Sequence, residues 1–185
     1  MPKIHPTALV SSSASLADDV EVGPFAIIEN EVVIGAGCKI ASQAKIRKGV
    51  VMGEHNTLAN NVMIAGHCKI GNRIFFGGGT AIHQFIHVGD FAMTQGNCGM
   101  TRDVPPYCIV HQINPLSGLK TVGLKRGGFS PEERKEIKAA FALLLNSKTT
   151  RAEALATADK IACGPAAAKL IEAVRHPSPK GILTR

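Results

Sequence analysis

The sequence is poor in aromatic residues and has no long apolar run, and each absence excludes a class of protein. Its 185 residues include no Trp, one Tyr and 7 Phe, so a surface that stacks nucleic-acid bases on aromatic rings is not expected. No apolar stretch reaches the roughly 20 residues of a membrane-spanning helix, and no apolar signal segment follows Met1. We therefore expect a cytoplasmic protein with no transmembrane segment and no nucleic-acid partner.

The five cysteines do not have the spacing of metal ligands. Cys38, Cys68 and Cys98 are separated by thirty residues each, whereas zinc ligands usually come in closely spaced pairs. We interpret them as small apolar side chains that fill a core. The sequence predicts no metal and no other cofactor.

The excess of positive charge lies entirely in the C-terminal part of the chain. Up to Pro105, eight Lys and Arg balance eight Asp and Glu, whereas thirteen Lys and Arg face six Asp and Glu from Pro106 onward. A neutral first part with a basic second part predicts an acidic partner for the second part, either a phosphate group or an acidic protein. The alternative is a basic surface that is merely solvated.

A hydrophobic residue recurs at every sixth position through the first hundred residues, and sixteen of the seventeen positions follow the rule. A second set, four positions further along, is mostly small or β-branched. The first set is Ile4, Val10, Leu16, Val22, Ile28, Ile34, Ile40, Ile46, Met52, Leu58, Ile64, Ile70, Phe76, Ile82, Val88 and Met100, with Thr94 as the exception. Two inward positions in every six are typical of a parallel β-helix built from hexapeptide repeats.

Three hexads make one triangular coil of about 18 residues, and successive coils stack about 4.8 Å apart. The sequence therefore predicts an all-β parallel β-helix of about six coils over residues 1–105, with a short C-terminal α-helical region. Its left-handed sense is taken from the resemblance to known hexapeptide proteins. The open edges and flat faces of a three-sided rod favour a homotrimer.

The chain beyond the repeats is predicted to contain an irregular connection over residues 106–129 and helices over residues 130–185. Pro105 and Pro106 cannot donate to a β-ladder, which suggests that the repeats end there. The segments that begin at Ser130 and Thr150 carry capping-box patterns, and Gly164 with the following proline marks the start of a third helix.

Three stacked hexads, which begin at Ile46, Ile64 and Ile82, place polar groups on one face of the predicted rod. Their outward residues are Arg47, Lys48, Ala65, Gly66, His67, His83 and Gln84. Histidines can carry protons near neutral pH, and a glycine at a corner leaves an N–H free for a developing oxyanion. We expect Lys48, His67 and His83 to form one column at a subunit boundary. The alternative is that the histidines only cap corners and bridge subunits.

Four segments with their spacing resemble the UDP-N-acetylglucosamine O-acyltransferases of lipid A biosynthesis. They are Ile64-Ala65-Gly66-His67, Thr80-Ala81-Ile82-His83-Gln84-Phe85, Asp103-Val104-Pro105-Pro106-Tyr107 and Gly123-Leu124-Lys125-Arg126-Gly127-Gly128-Phe129-Ser130. The resemblance implies a left-handed β-helix, a homotrimer with sites between subunits, an acyl carrier protein thioester as donor and a UDP-sugar as acceptor.

The same resemblance implies roles for individual residues. Gly66 matches the oxyanion glycine of the family and His67, His83 and Gln84 match its pocket residues. Arg126, next to Lys125, matches a basic residue of the nucleotide-phosphate site. A general base would activate the sugar hydroxyl for attack on the thioester.

This chain departs from the family pattern at the base. The family has a His-Asp dipeptide one coil before the Gly-His pair, and that place holds Lys48 and Gly49 here. A lysine serves as a base only where its pKa is lowered, for example by burial. The protruding loops of the family are also absent, and Gly127 replaces its second arginine.

The predicted function is therefore transfer of a (3-hydroxy)acyl group from acyl carrier protein to UDP-N-acetylglucosamine, with His67 or Lys48 as base, Gly66 as oxyanion donor, and His83, Gln84, Lys125 and Arg126 as substrate-binding residues. One alternative is a catalytically inactive or altered-substrate homologue that acts as a trimer binding a nucleotide, an acyl group or a carrier protein. Another is an enzyme with a different acceptor and acetyl-CoA as donor. A buried Lys48 beside His67 favours an enzyme, and a solvent-exposed Lys48 is compatible with a binding protein.

Overall fold

A computed structural model describes residues 1–146 and 149–184 of the chain. The described residues form nineteen strands, most of them two residues long, followed by four helices. The strands are β1 (Lys3–Ile4), β2 (Leu9–Val10), β3 (Ser15–Leu16), β4 (Glu21–Val22), β5 (Ile27–Ile28), β6 (Val33–Ile34), β7 (Lys39–Ile40), β8 (Lys45–Ile46), β9 (Val51–Met52), β10 (Thr57–Leu58), β11 (Met63–Ile64), β12 (Lys69–Ile70), β13 (Phe75–Phe76), β14 (Ala81–Ile82), β15 (His87–Val88), β16 (Met93–Thr94), β17 (Gly99–Met100), β18 (Cys108–Val110) and β19 (Leu116–Leu119). The helices are α1 (Thr121–Arg126), α2 (Pro131–Leu145), α3 (Arg151–Ala158) and α4 (Pro165–Arg175).

The strands make three parallel sheets, which are the three faces of a β-helix. Face A runs β1-β4-β7-β10-β13-β16-β18 with β19 added antiparallel, face B runs β2-β5-β8-β11-β14-β17, and face C runs β3-β6-β9-β12-β15. From β1 to β17 the paired strands are 18 residues apart, as in Ile46 with Ile64 and Ile64 with Ile82, whereas β16 and β18 are 16 residues apart. The hexapeptide period thus sets both the register and the predicted count of about six coils.

Both predicted sets of inward residues fill the interior of the rod. Their side chains from Val20 to Cys98 are almost fully buried, including the cysteines at 38, 68 and 98. The inward position 56 carries an asparagine instead of an apolar residue, and Asn56 has no exposed surface. The Thr94 exception is also buried, where its hydroxyl contacts that of Thr80 at 2.8 Å and accepts from the Gly77 N–H. Polar side chains enter this core only with their hydrogen bonds made.

The coil continues past the two prolines that were expected to end it. Val104 bridges Val88 on face C, and β18 then pairs in parallel with β16 on face A. Pro105 and Pro106 lie between these two faces, at a corner, where no ladder N–H is required of them. The interpretation of the prolines as the end of the repeats was therefore wrong.

The connection predicted to be irregular contains regular structure. The strands β18 and β19 form an antiparallel pair with a shifted register, and α1 follows directly. The short helix was not predicted because Lys120, which precedes it, makes no side-chain cap and the first turn has no acidic residue.

The three C-terminal helices follow their sequence signals. Ser130 caps α2 in a capping box with Glu133, and Thr150 caps α3 in the same way with Glu153. The helices pack mainly through α2 and α4, and α4 is fixed to the β-helix by a 2.5 Å ion pair between Lys169 and Asp90. Of the helices in the described part of the chain, none has the length and apolar character needed to cross a membrane.

The single tyrosine provides a test of this packing. Tyr107 is buried against Phe91 and Phe129, and burial, with smaller contributions from Asp90 and Glu133, raises its pKa to about 12. Burial therefore favours the neutral form of Tyr107, whereas the same side chain in the unfolded chain ionises near pH 10. The contribution of neutral Tyr107 to the stability of the folded protein is complete below pH 10 and is lost as the pH rises toward 12.

We expect a tyrosinate absorbance titration of the folded protein to have its midpoint about 2 units above that of the unfolded chain. The signal is unambiguous because the chain has one Tyr and no Trp. Unfolding free energies at pH 9 and 11 should differ less in Tyr107→Phe than in the wild type. A midpoint near 10 in the folded protein would contradict the burial described here.

Candidate active site at the corner after face B

The predicted ladder lies at the corner that follows face B. The register of β8, β11 and β14 places residues with the same offset above one another. One column holds Arg47, Ala65 and His83, the next Lys48, Gly66 and Gln84, and the third Gly49, His67 and Phe85. The expectation of a single column of Lys48, His67 and His83 was therefore wrong, because each of the three has a different offset from its strand. They belong to three neighbouring columns of one corner.

The two cations of the ladder are paired with glutamates of the preceding coil. Arg47 contacts Glu29 at 2.8 Å, and the Lys48 ammonium contacts Glu31 at 3.2 Å. The Lys48 side chain is 55% exposed. The Lys48 side chain is thus exposed, with its ammonium at Glu31, so it lacks the burial that activates a lysine as a base.

The His67 ring is held in a fixed place by its column. It stacks on Phe85 with 5.2 Å between centroids and an interplanar angle of 7°. On the other side, a Cβ added to Gly49 would lie 2.5 Å from His67 Nδ1. The ring therefore fits only because residue 49 has no side chain, and one face of this exposed imidazole is covered by an aromatic ring.

Gly66 presents an N–H that no group in the described chain accepts. Its neighbours donate within the coil, Ala65 to the Ile82 carbonyl and His67 to the Lys48 carbonyl, and the Gly66 carbonyl accepts from Phe85. The N–H groups of Gly78 and Gly96, at the same offset of another corner, are also free of protein acceptors. A free N–H is thus common to glycines at this position of a corner. Gly66 differs from the other two because the imidazole of His67, a possible general base, is the next residue.

His83 and Gln84 lie one coil above Gly66 and are exposed. His83 Nδ1 lies 3.3 Å from the Gln84 carbonyl oxygen, and the His83 N–H donates to the Met100 carbonyl. Together with His67 and Gly66 they form an open surface patch with two imidazoles, one amide and one free N–H. This set can accept a proton from a hydroxyl and donate to an oxyanion.

Lys125 and Arg126 lie elsewhere in the fold. Both are exposed in the last turn of α1, and the adjacent Gly127 packs against Phe91, which belongs to the corner that follows face C. The chain by itself therefore does not bring these two cations to the corner of His67. Among the described residues, no cluster of three or more His, Cys, Asp or Glu side chains could hold a metal ion.

Three residues of this site were missed from the sequence. Phe85 is the stacking partner of His67, and Glu29 and Glu31 neutralise the ladder cations. The contact of Phe85 with His67 could have been predicted from the sequence, because the two residues have the same offset in successive hexads of face B. The diagonal contact of Lys48 with Glu31 depends on side-chain direction, which the register leaves open.

Two family models match the chain. The second domain of UDP N-acetylglucosamine O-acyltransferase matches residues 103–183, and the bacterial transferase hexapeptide model of six repeats matches residues 2–48.

Similar curated proteins carry the same description. An acyl-[acyl-carrier-protein]–UDP-N-acetylglucosamine O-acyltransferase of Myxococcus xanthus is 42% identical over 76 residues, which are 40% of this chain and 30% of that protein. One from Synechocystis is 40% identical over 86 residues, covering 45% and 31% of the two chains. The match thus spans about 30% of the length of these relatives.

Solved structures match over almost the whole chain. A UDP-N-acetylglucosamine O-acyltransferase from Moraxella catarrhalis has a TM-score of 0.71 at 24% identity, covering 97% of this chain and 99% of the other. One from Francisella novicida has a TM-score of 0.62 at 27% identity, with coverage of 98% and 94%. The left-handed parallel β-helix and the resemblance predicted from the four segments are confirmed.

Proposed function

Because the chain is a relative of the UDP-N-acetylglucosamine O-acyltransferases, we propose that it transfers an acyl group from acyl carrier protein to a hydroxyl of UDP-N-acetylglucosamine. The observation that carries this proposal is the pairing of a fixed imidazole, His67, with the free N–H of Gly66 at one corner. The relatives named above act with these substrates according to their descriptions.

The chemistry assigned to the corner is general-base acyl transfer. His67 takes the proton of the sugar hydroxyl while its oxygen forms a bond to the thioester carbonyl carbon. The resulting oxyanion accepts a hydrogen bond from Gly66. When the tetrahedral intermediate breaks its carbon–sulfur bond, the leaving thiolate takes the proton from the His67 imidazolium, so protons balance and the base is regenerated.

His83 and Gln84 are proposed to hold the acceptor one coil above this centre. Lys125 and Arg126 are proposed to bind its diphosphate, and because they lie at a different corner of the protomer, they would have to come from another subunit. The proposal therefore includes a homotrimer with sites between subunits. The basic C-terminal part, with thirteen Lys and Arg against six Asp and Glu, suits the acidic carrier protein.

The proposal is tested with purified full-length protein, a 3-hydroxyacyl carrier protein and UDP-N-acetylglucosamine. We expect acyl-UDP-N-acetylglucosamine by mass spectrometry, and a loss of at least about 100-fold in kcat in His67→Ala, the range typical of removing a general base. His55→Ala is a matched control, because His55 packs on Gly37 as His67 does on Gly49 and also has a positive φ.

Lys48→Met distinguishes the two candidate bases. Unchanged turnover in this variant with loss in His67→Ala would assign the base to His67. Equal turnover in His67→Ala and in the wild type would contradict this assignment.

A second candidate function is a non-catalytic trimer that binds the nucleotide sugar or the carrier protein. The exposure of Lys48 and its ion pair with Glu31, at the place where the family has a histidine, favours it. Calorimetric binding of UDP-N-acetylglucosamine without turnover on several acyl donors would support this function, and activity gained by Lys48→His would show that the replaced base is what silenced the site.

A further inference from the structure

A groove of about 400 Å³ lies on face C, between the β-helix, the end of α4 and the C-terminal tail. Its β-helix side includes Val51, Lys69 and His87, and its other side includes Ala173, His176 and Ile182. None of the residues assigned to acyl transfer lines it. The volume is in the range of sites that hold small molecules.

The tail that forms one wall is fixed in place by a buried carboxylate. Asp103 is 3% exposed and accepts hydrogen bonds from the Ser178 N–H, the Ser178 hydroxyl at 2.7 Å and the His87 N–H at 2.9 Å. The Gly181 carbonyl and the Leu183 N–H bond to the Asp103 backbone. The groove is therefore preformed by the fold and does not depend on a loose segment.

The charges around the groove leave one cation available. The Asp103 carboxylate accepts from Ser178 and from the His87 backbone N–H, and the His87 ring Nδ1 lies 3.9 Å from it. Glu172, near the groove, contacts Arg175 at 3.0 Å and His176 at 3.5 Å. Within residues 1–146 and 149–184, no acidic group lies within 4.0 Å of the Lys69 ammonium. A ligand carboxylate would thus find a partner at Lys69, and each further negative charge on the ligand would add repulsion from Asp103 and Glu172 without gaining a second free cation.

We propose that this groove binds a singly charged carboxylate with an apolar chain. The carboxylate would pair with Lys69, with donation from His87 or His176, and the chain would lie against Val51, Ala173 and Ile182. This combination of apolar walls and one convergent cation is the usual composition of a small-ligand site. The site lies on face C, whereas the strands that precede the His67 corner lie on face B. The failure of one proposal would therefore not affect the other.

Calorimetry of the full chain with octanoate, and with octanol as its uncharged counterpart, tests the proposal. We expect saturable octanoate binding that is weakened about tenfold or more in Lys69→Met and restored in Lys69→Arg, because a lost ion pair of about 1.4 kcal/mol corresponds to a factor of ten. Octanol should be insensitive to Lys69→Met. Lys45→Met, at the same strand position on face B, is the matched control and should bind octanoate as the wild type does.

Ala173→Leu narrows the groove from the helical side and should weaken octanoate at least about tenfold. Histidine ring NMR of the wild-type protein provides a second measurement that needs no variant: octanoate should shift the His87 and His176 resonances and leave those of His5 unchanged. The proposal is overturned by absence of saturable binding, by equal losses in Lys69→Met and Lys45→Met, or by histidine resonances that do not move.

Discussion

Asn56→Ala is expected to destabilise the protein by about 3 kcal/mol, since several buried groups lose their partners at once. The side-chain amide donates to the carbonyls of Gly53 at 3.0 Å and Gly71 at 2.8 Å, and its oxygen accepts from the Ile74 N–H at 2.8 Å. These three backbone groups belong to two turns of neighbouring coils, Gly53 to one and Gly71 with Ile74 to the next. Asn56 thus joins adjacent coils from inside the rod, and because it has no exposed surface, the groups that it leaves unpaired would be buried.

Chemical denaturation of wild type and variant measures this effect. The matched control is Asn60→Ala, because Asn60 is an exposed asparagine at the next corner and its replacement should change the unfolding free energy by less than about 0.5 kcal/mol. Asn56→Asp should also be strongly destabilising, since a carboxylate keeps the acceptor for Ile74 but faces two carbonyl oxygens without a proton to donate. A loss below about 1 kcal/mol in Asn56→Ala would show that the coils are not joined in this way.

Asp103→Ala is expected to cost about 3 kcal/mol or more and to release the C-terminal tail, because hydrogen bonds to a charged group are each worth about 1.5–3 kcal/mol. The variant removes the acceptor for both Ser178 donors and for the His87 N–H. The two contacts with Ser178 join residues 75 positions apart in sequence. After their loss only the backbone hydrogen bonds of residue 103 to Gly181 and Leu183 hold the tail, so we expect the wall formed by Ile182 to loosen and the face C groove to open.

Two measurements separate this effect from general unfolding. Urea denaturation gives the free-energy change, and limited trypsin digestion should cleave the variant faster at Lys180 than the wild type. Asp18→Ala is the control, because Asp18 is 90% exposed and its carboxylate contacts the amino-terminal ammonium at 3.4 Å. If Asp103→Ala and Asp18→Ala were equally stable and equally resistant at Lys180, the tail would not be held by Asp103.

The fold was predictable because its cause is local and repeated. A six-residue period with two inward positions determines which side chains face the core, and three periods per coil determine which strands pair, so the stacking of the hexads at 46, 64 and 82 followed from counting. The helices α2 and α3 were equally predictable from their capping boxes. In each case the controlling residues lie within a few positions of the element that they form.

The path of the chain after the prolines was not predictable in the same way. Whether Pro105 ends a ladder or occupies a corner depends on where the preceding coil places the next strand. The structure puts β18 on β16, and Gly89 permits this, since a Cβ there would clash with the Pro106 ring. Packing between coils decided this, and single-sequence periodicity contains no information on it.

In the candidate site, too, some features follow from the repeat and others from contacts between distant segments. The sequence by itself determined that Lys48, Gly66, His67, His83 and Gln84 share one corner, because offsets within a hexad are preserved from coil to coil. Only the tertiary structure decided that Lys48 turns to Glu31, that His67 stacks on Phe85, and that Lys125 and Arg126 lie at another corner. The reason is that side-chain direction and the position of α1 depend on contacts between segments distant in sequence, which no repeat encodes.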